Sequence, residues 1–218
     1  MDVIFENLDL WTEGISLTLL VFFFGGIIAI VLGTIVGAMR VSPVPIARAV
    51  GALYVNLVRN TPLTLVFFFF VFGYSALALP NLSNTVLGIL AIGVYTATYV
   101  AETLRAGINT VPVGQAEAAR AIGLPFGQVM TQVVLPQAFR SVVPPLMSVL
   151  IALLKNTTVA AGFSVAVLPA LQSTVSNSHN RPGTPMEVLL WAAAVFVVLV
   201  LLLTWLQRTL ENKWRIAR

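Results

Sequence analysis

Lys155 lies eleven residues after Pro144 in an apolar stretch, "PPLMSVLIALLKNTTVAAGF" (144–163). An ionisable group at bilayer depth costs about 2.5–3.5 kcal/mol on insertion scales, so it needs a partner or a use. A cation facing a cavity attracts a carboxylate, and Asn156, Thr157 and Thr158 follow it as hydrogen-bonding groups. The alternative is a structural charge whose long stem snorkels to an interface. Glu102 and Arg105 are three residues apart, which places them on one helix face, as a structural ion pair or as contacts to a solute. Arg59 stands where another apolar stretch begins and reads as an interfacial anchor. Nothing in the chain suggests catalysis. There is no cysteine and one histidine, His179, in a polar tract, so no metal site is expected. A phosphate loop of the form G-x-x-x-x-G-K-[ST] is absent, so the chain is not expected to hydrolyse ATP.

The elements that hold these groups must live in a membrane. Of the 218 residues, 58% are hydrophobic and 9% are charged, against about 25% charged in a typical soluble domain. The twelve Lys and Arg occur singly, without a basic run, so the net positive charge suggests membrane topology rather than nucleic acid. Asp2, Glu6, Asp9 and Glu13, with no basic residue among them, are the opposite of a signal-peptide start.

A bilayer core needs roughly 20 apolar residues in helix. Between Glu13 and Arg40 there are 26 uncharged residues, and between Arg59 and Glu102 there are 42. The longer run is divided by "LPNLSN" (79–84), whose Pro and Asn favour a turn. The expected fold is all-α and integral to the membrane, one domain over 1–218 with five spans near 14–39, 56–79, 84–104, 142–163 and 187–208. Arg40, Arg48, Arg105, Arg120, Arg140, Arg208, Lys213, Arg215 and Arg218 fall on one side of these spans. The positive-inside rule then puts the N-terminus outside and the C-terminus in the cytoplasm. The run Phe67–Phe70 reads as lipid-facing or as packing bulk. No sustained internal repeat is visible. The tract "QSTVSNSHNRPGTP" (172–185) is expected to be an external loop, either a solvated connector or a docking element.

One segment, about 109–136, is too polar for the bilayer. In "VPVGQAEAARAIG" Pro112 precedes good helix formers, and Gly123 and Pro125 follow them, a start and a stop for a short helix. A second piece, Phe126 to Val134, is expected to end at Leu135-Pro136. The segment could be a plain helical connector or a slim plug offered to a soluble partner.

Its spacing resembles a known pattern. Glu117-Ala118-Ala119, three residues, Gly123, nine residues and Val133-Val134-Leu135-Pro136 resemble the E-A-A-x3-G-x9-I-x-L-P loop of bacterial ABC-importer permeases, with Val133 in place of Ile. "YVNLVRNTPLTLVFFFFVFG" (54–73), "YTATYVAETLRAGINTVPVGQAEAA" (95–119) and "LPQAFRSVVPPLMSVLIALLKNTTV" (135–159) resemble the polar amino-acid branch, which takes up histidine, glutamate, glutamine or arginine. Asn60 replaces a Gly of that branch. The resemblance covers about 14–160.

It implies a type I ABC-importer permease fold and a non-catalytic, multi-pass subunit of the bacterial cytoplasmic membrane. The implied partners are a cytoplasmic ATPase dimer, a second copy or a homologous permease, an extracytoplasmic solute-binding protein and lipid, with no nucleic acid. ATP and Mg2+ would belong to the ATPase, leaving no cofactor in this chain. The implied coupling residues are Gly114, Glu117, Ala118, Ala119, Gly123, Leu135 and Pro136. Glu117 would make polar contact, Ala118 and Ala119 would allow close packing, and Gly123 the turn. Lys155, Asn156, Thr157 and Thr158 would line the solute pathway. Asn156 stands where the family often has Asp, which leaves a cation-rich site suited to an acidic solute. "INTV", "VRNTPLTLV" and "KNTT" resemble glutamate-importer permeases, with glutamine or a basic amino acid as the alternatives. An ATP-independent carrier or channel, with Lys155 and Glu102 in ion coupling, is the reading from another class. A scaffold without transport would leave Lys155 unused.

Overall fold

A computed structural model describes residues 7–77, 79–171, 175 and 184–214. Nearly all of the 172–185 tract, with His179 and Arg181, lies outside the described residues, as do Asp2, Glu6, Arg215 and Arg218. Every element among the described residues is helical. Helix α1 spans Leu8–Val41, α2 Pro45–Arg59, α3 Leu63–Phe68 and α4 Asn84–Asn109. A short helix, α5, covers Val113–Ala121, and α6 covers Phe126–Gln128. Helix α7 covers Leu135–Asn156 and continues as 3-10 helix over Thr157–Phe163; α8 spans Thr184–Trp214. Four helical stretches are long and apolar enough to cross a membrane, and the bent pair α2 and α3 makes up to five.

The bundle is centred on α1 and α4, the most extensively packed pair. Small residues let their backbones come close. A methyl group on Gly33 would lie 2.5 Å from Val100 Cβ, and one on Gly93 2.7 Å from Ile28 Cγ2. Such close approach is how helices associate where lipid removes the hydrophobic drive. Around this pair, Phe67 of α3, Leu153 of α7 and Phe163 join Val21, Ala29 and Ile92 in one core. Phe67 is fully buried and stacks on Phe163 at 5.1 Å, while Phe68 and Phe69 are exposed. The phenylalanine run therefore divides between packing and the outer surface. A second tie is polar: Thr18 Oγ1 donates to Gly14 O at 2.7 Å and accepts from Leu168 N–H at 2.9 Å.

Two expectations about helix continuity change. The stretch 56–79 is not one straight helix, because α2 and α3 meet at an angle of 100°. The break falls at Asn60-Thr61-Pro62, where Pro62 takes ψ of 137°. The residue before a proline is pushed out of the helical region, so the helix stops and a new one starts. At Leu135-Pro136 the opposite happens. The chain stays helical from Phe126, through a π-helical turn over Val129–Val134, into α7. The widened turn immediately precedes Pro136, and relieves the clash its ring would make with a carbonyl in a regular α-turn.

Candidate functional site

Between α4 and α7, at the end of the bundle where α1 also finishes, the chain leaves its long helices and builds a small helical lobe. Pro112 starts α5 with ψ of 133° and accepts the Gln115 N–H at 3.0 Å. Gly123 ends it. Its φ is +89°, the left-handed region in which a Cβ is penalised. Gly123 N–H bonds Arg120 O at 2.9 Å and Leu124 N–H bonds Ala119 O at 3.2 Å, the paired bonds of a Schellman cap. Nothing lies within 4 Å of a Cβ built at Gly123, so backbone conformation rather than crowding calls for glycine.

The cap fixes which way α5 faces. Ala119 is buried in a small cluster with Val129 and Val134, edged by Ile108, Val111 and Leu124. Gly114, Glu117 and Ala121 are exposed and, at i, i+3 and i+7, share the opposite face. Ala118 is exposed beside them. The two alanines expected to act together thus do different work: Ala119 packs the lobe and Ala118 lies outside it. Sequence reasoning overlooked Ile122 and Val113, apolar residues 79% and 72% exposed at the two ends of α5. Their signal was available as isolated aliphatic residues flanking a polar helix. Leu135 and Pro136 do not join this face. Pro136 is in the first turn of α7, and Leu135 lines a separate apolar cavity of about 420 Å3 with Ala38, Pro43, Leu104 and Phe126.

The lobe is bolted to the bundle. Gln137 Nε2 donates to Val133 O at 2.8 Å and to Gln115 Oε1, joining α7 to α5. Thr110 and Ser141 share a hydroxyl contact of 3.0 Å, and Ser141 donates to Gly107 O at 3.2 Å. Just inside, Glu102 accepts from Arg105 at 2.9 Å and pairs with Arg40 at 2.6 Å. The i, i+3 pair is present, and Arg40 makes it a clamp between α1 and α4. Sequence reasoning missed Arg40 because that partner stands on a different helix.

Within the span, the four polar residues from Lys155 onward part company. Lys155 and Thr158 face a groove against Phe196, Val197, Val200 and Leu201 of α8. Asn156 turns to a cavity shared with α4. Thr157 is fully buried and donates to Leu154 O at 2.7 Å, which removes it from any solute-facing surface. Among the described residues, no cluster of His, Asp or Glu could hold a metal ion.

Fold and site together define a multi-pass, all-helical membrane component that presents a short capped helix at one end. Residues 13–216 match the family described as binding-protein-dependent transport system inner membrane component, and the chain belongs to that family. It is a permease subunit of the inner membrane, built on the type I ABC-importer permease fold. Among its relatives, the glutamate transport system permease protein GluC of Corynebacterium efficiens is 44% identical over 81% of this chain and 79% of its own length. The probable glutamine ABC transporter permease protein GlnM of Bacillus subtilis is 32% identical over 98% of this chain and 99% of its own. A crystal structure of an amino acid ABC transporter with histidines superposes with a TM-score of 0.88, at 26% identity over 96% of both chains.

Proposed function

We propose that this chain is the transmembrane permease of an ATP-driven importer that moves a polar amino acid, preferentially L-glutamate, into the cytoplasm. The observation that carries the reading is α5, a capped helix with Gly114, Glu117 and Ala121 on its exposed face, carrying the E-A-A-x3-G spacing. The segment sits at the end of the bundle that also holds Arg40, Arg48, Arg105 and Arg120, which supports a cytoplasmic position and an external N-terminus. Two such helices, one from each permease of a dimer, seat in grooves of two ATPase subunits. Closure of the ATPases on ATP draws the helices together and rocks the bundles between inward-open and outward-open states. An external binding protein delivers the solute. Glu117 contacts the ATPase, Gly114 and Ala118 permit close approach, and Gly123 holds the turn. Lys155 is the cation nearest the middle of its span and shares its groove with Thr158, while Asn156 lines the cavity against α4. The 44% identity to a glutamate permease and the neutral Asn156 beside Lys155 support an acidic solute.

Replacing Gly123 by Asp tests the coupling role. The variant is expected to reach the membrane and to lose the ATPase on co-purification in detergent. Unchanged co-purification would count against a docking function for α5.

A further inference from the structure

Where α1 ends against the helical lobe, the apolar cavity of about 420 Å3 is lined by Ala38 and Pro43 from the end of α1, Leu104 of α4, and Phe126 and Leu135 of the lobe and α7. Ala38, Pro43, Phe126 and Leu135 are exposed, so the cavity is open at the surface rather than sealed. Its size lies within the range of about 300–1,000 Å3 in which small ligands are held. Only Thr34 and Ser42 bring polar side chains to the wall, and the Ser42 hydroxyl already accepts the Val44 N–H at 3.1 Å. A hollow with so few hydrogen-bonding partners does not suit ordered water. It suits hydrocarbon, and the bilayer around the chain supplies it.

One cation stands over this wall. Arg48 lies three residues before Gly51 and seven before Val55, both buried where α2 packs on α1, so it continues that face of α2 past the end of α1. Its Nη1 donates to Ser42 O and to Pro43 O, both at 2.9 Å, and so ties the guanidinium to two residues of the lining. Both bonds use one nitrogen. The edge formed by Nε and Nη2 has no hydrogen-bond partner among the described residues, and no carboxylate there pairs with Arg48. Two parallel N–H groups on a guanidinium edge match a phosphate bidentately. Beside it, Ile46, Val50, Leu53 and Leu57 are exposed at helical spacing along α2, an apolar face that brings lipid next to the cavity.

We propose that this cavity binds one acyl chain of an anionic phospholipid, whose phosphate pairs with the free edge of Arg48. Charge complementarity selects the occupant, because a zwitterionic lipid would bring an ammonium group to the same cation. The bound chain touches α1, α4 and, through Phe126 and Met130, the segment that leads from the lobe into α7. It therefore fills a void at the joint between lobe and bundle, and its presence stiffens that joint. The inference goes beyond the importer reading and does not depend on which solute is carried.

The test titrates the full-length chain, purified in detergent with its partner subunits, with phosphatidylglycerol or with phosphatidylcholine of the same acyl chains. Native mass spectrometry reads occupancy, and thermal unfolding reads the stabilisation that binding to the folded state brings. The parent is expected to hold phosphatidylglycerol about fivefold more tightly than phosphatidylcholine, the factor that one arginine near an anionic surface supplies. Arg48→Gln is expected to erase that preference, and Arg48→Lys to keep part of it. Ala38→Phe, which places a ring in the cavity, is expected to lose the stabilisation by phosphatidylglycerol. Equal affinity of the parent for the two lipids, or an unchanged preference in Arg48→Gln, would overturn the proposal. So would inorganic phosphate that stabilises as much as the lipid, since the acyl chain would then contribute nothing. Dissociation of a permease dimer by Ala38→Phe, with lipid binding unchanged, would also overturn it and assign the face to a second copy. Where Ala38→Phe does not fold, Arg48→Gln and the phosphate comparison decide the matter.

Discussion

Glu102 forms ion pairs with both Arg40 and Arg105, and the three side chains are 20%, 16% and 35% exposed. Replacing Glu102 by Gln leaves Arg40 without its counter-charge in a shielded position. This is expected to destabilise the protein by about 3 kcal/mol. Arg105→Gln keeps the Arg40 pair and is expected to cost under about 1 kcal/mol, since Arg105 is the more exposed arm. Thermal unfolding of the purified variants in one detergent checks the order. If Arg105→Gln proves the more damaging, the clamp between α1 and α4 is misassigned. At this scale the sequence was informative wherever the signal was local. Gly123 and Pro112 declared themselves as helix punctuation, and Arg105 followed from its spacing to Glu102. The division between Ala118 and Ala119, the burial of Thr157 and the approach of Arg40 were not legible. Each depends on which face of a helix meets another helix, and composition does not set that.

At the scale of elements, the junction of α4 and α7 carries the small helical lobe, and its closeness makes a prediction. A Cβ on Gly107 would lie 2.2 Å from Val142 Cγ2, a distance that forces something to move. Gly107→Ala alone is expected to destabilise by about 1–3 kcal/mol, as overpacking of a tight contact does. Adding Val142→Ala removes the obstructing methyl and is expected to recover most of the loss. The check is a double-mutant cycle on melting temperature, with parallel measurement of ATPase association. An additive outcome would mean that the two residues do not share the contact. The length and apolarity of the helices were readable in advance, but their continuity was not. Hydropathy registers a run of uncharged residues and is blind to a bend within it, so the break at Asn60-Thr61-Pro62 escaped notice although Pro62 was in view. The same blindness worked in reverse at Pro136, where the π turn carries the helix through a proline that reads as a stop.

For the whole molecule, the small helical lobe hangs from α4 and α7, the two helices that line a cavity of about 420 Å3 between Tyr95, Tyr99 and Asn156. In the proposed importer, movement imposed on α5 by a partner would reach the cavity walls through these helices, with Thr110, Ser141 and Gln137 as the fastenings. This connection gives the proposed importer a mechanical route from ATP hydrolysis to solute release. An ATP-independent carrier would need no such route, so the proposed coupling role of α5 is the point on which the two readings part. The measurement that addresses this most directly is accumulation of labelled glutamate in proteoliposomes carrying the permease and its ATPase, with binding protein on the delivery side. Accumulation against the gradient is expected only when ATP and binding protein are both present, with unlabelled glutamate competing and arginine not. Accumulation without ATP, or competition by arginine and not by glutamate, would contradict the proposed function.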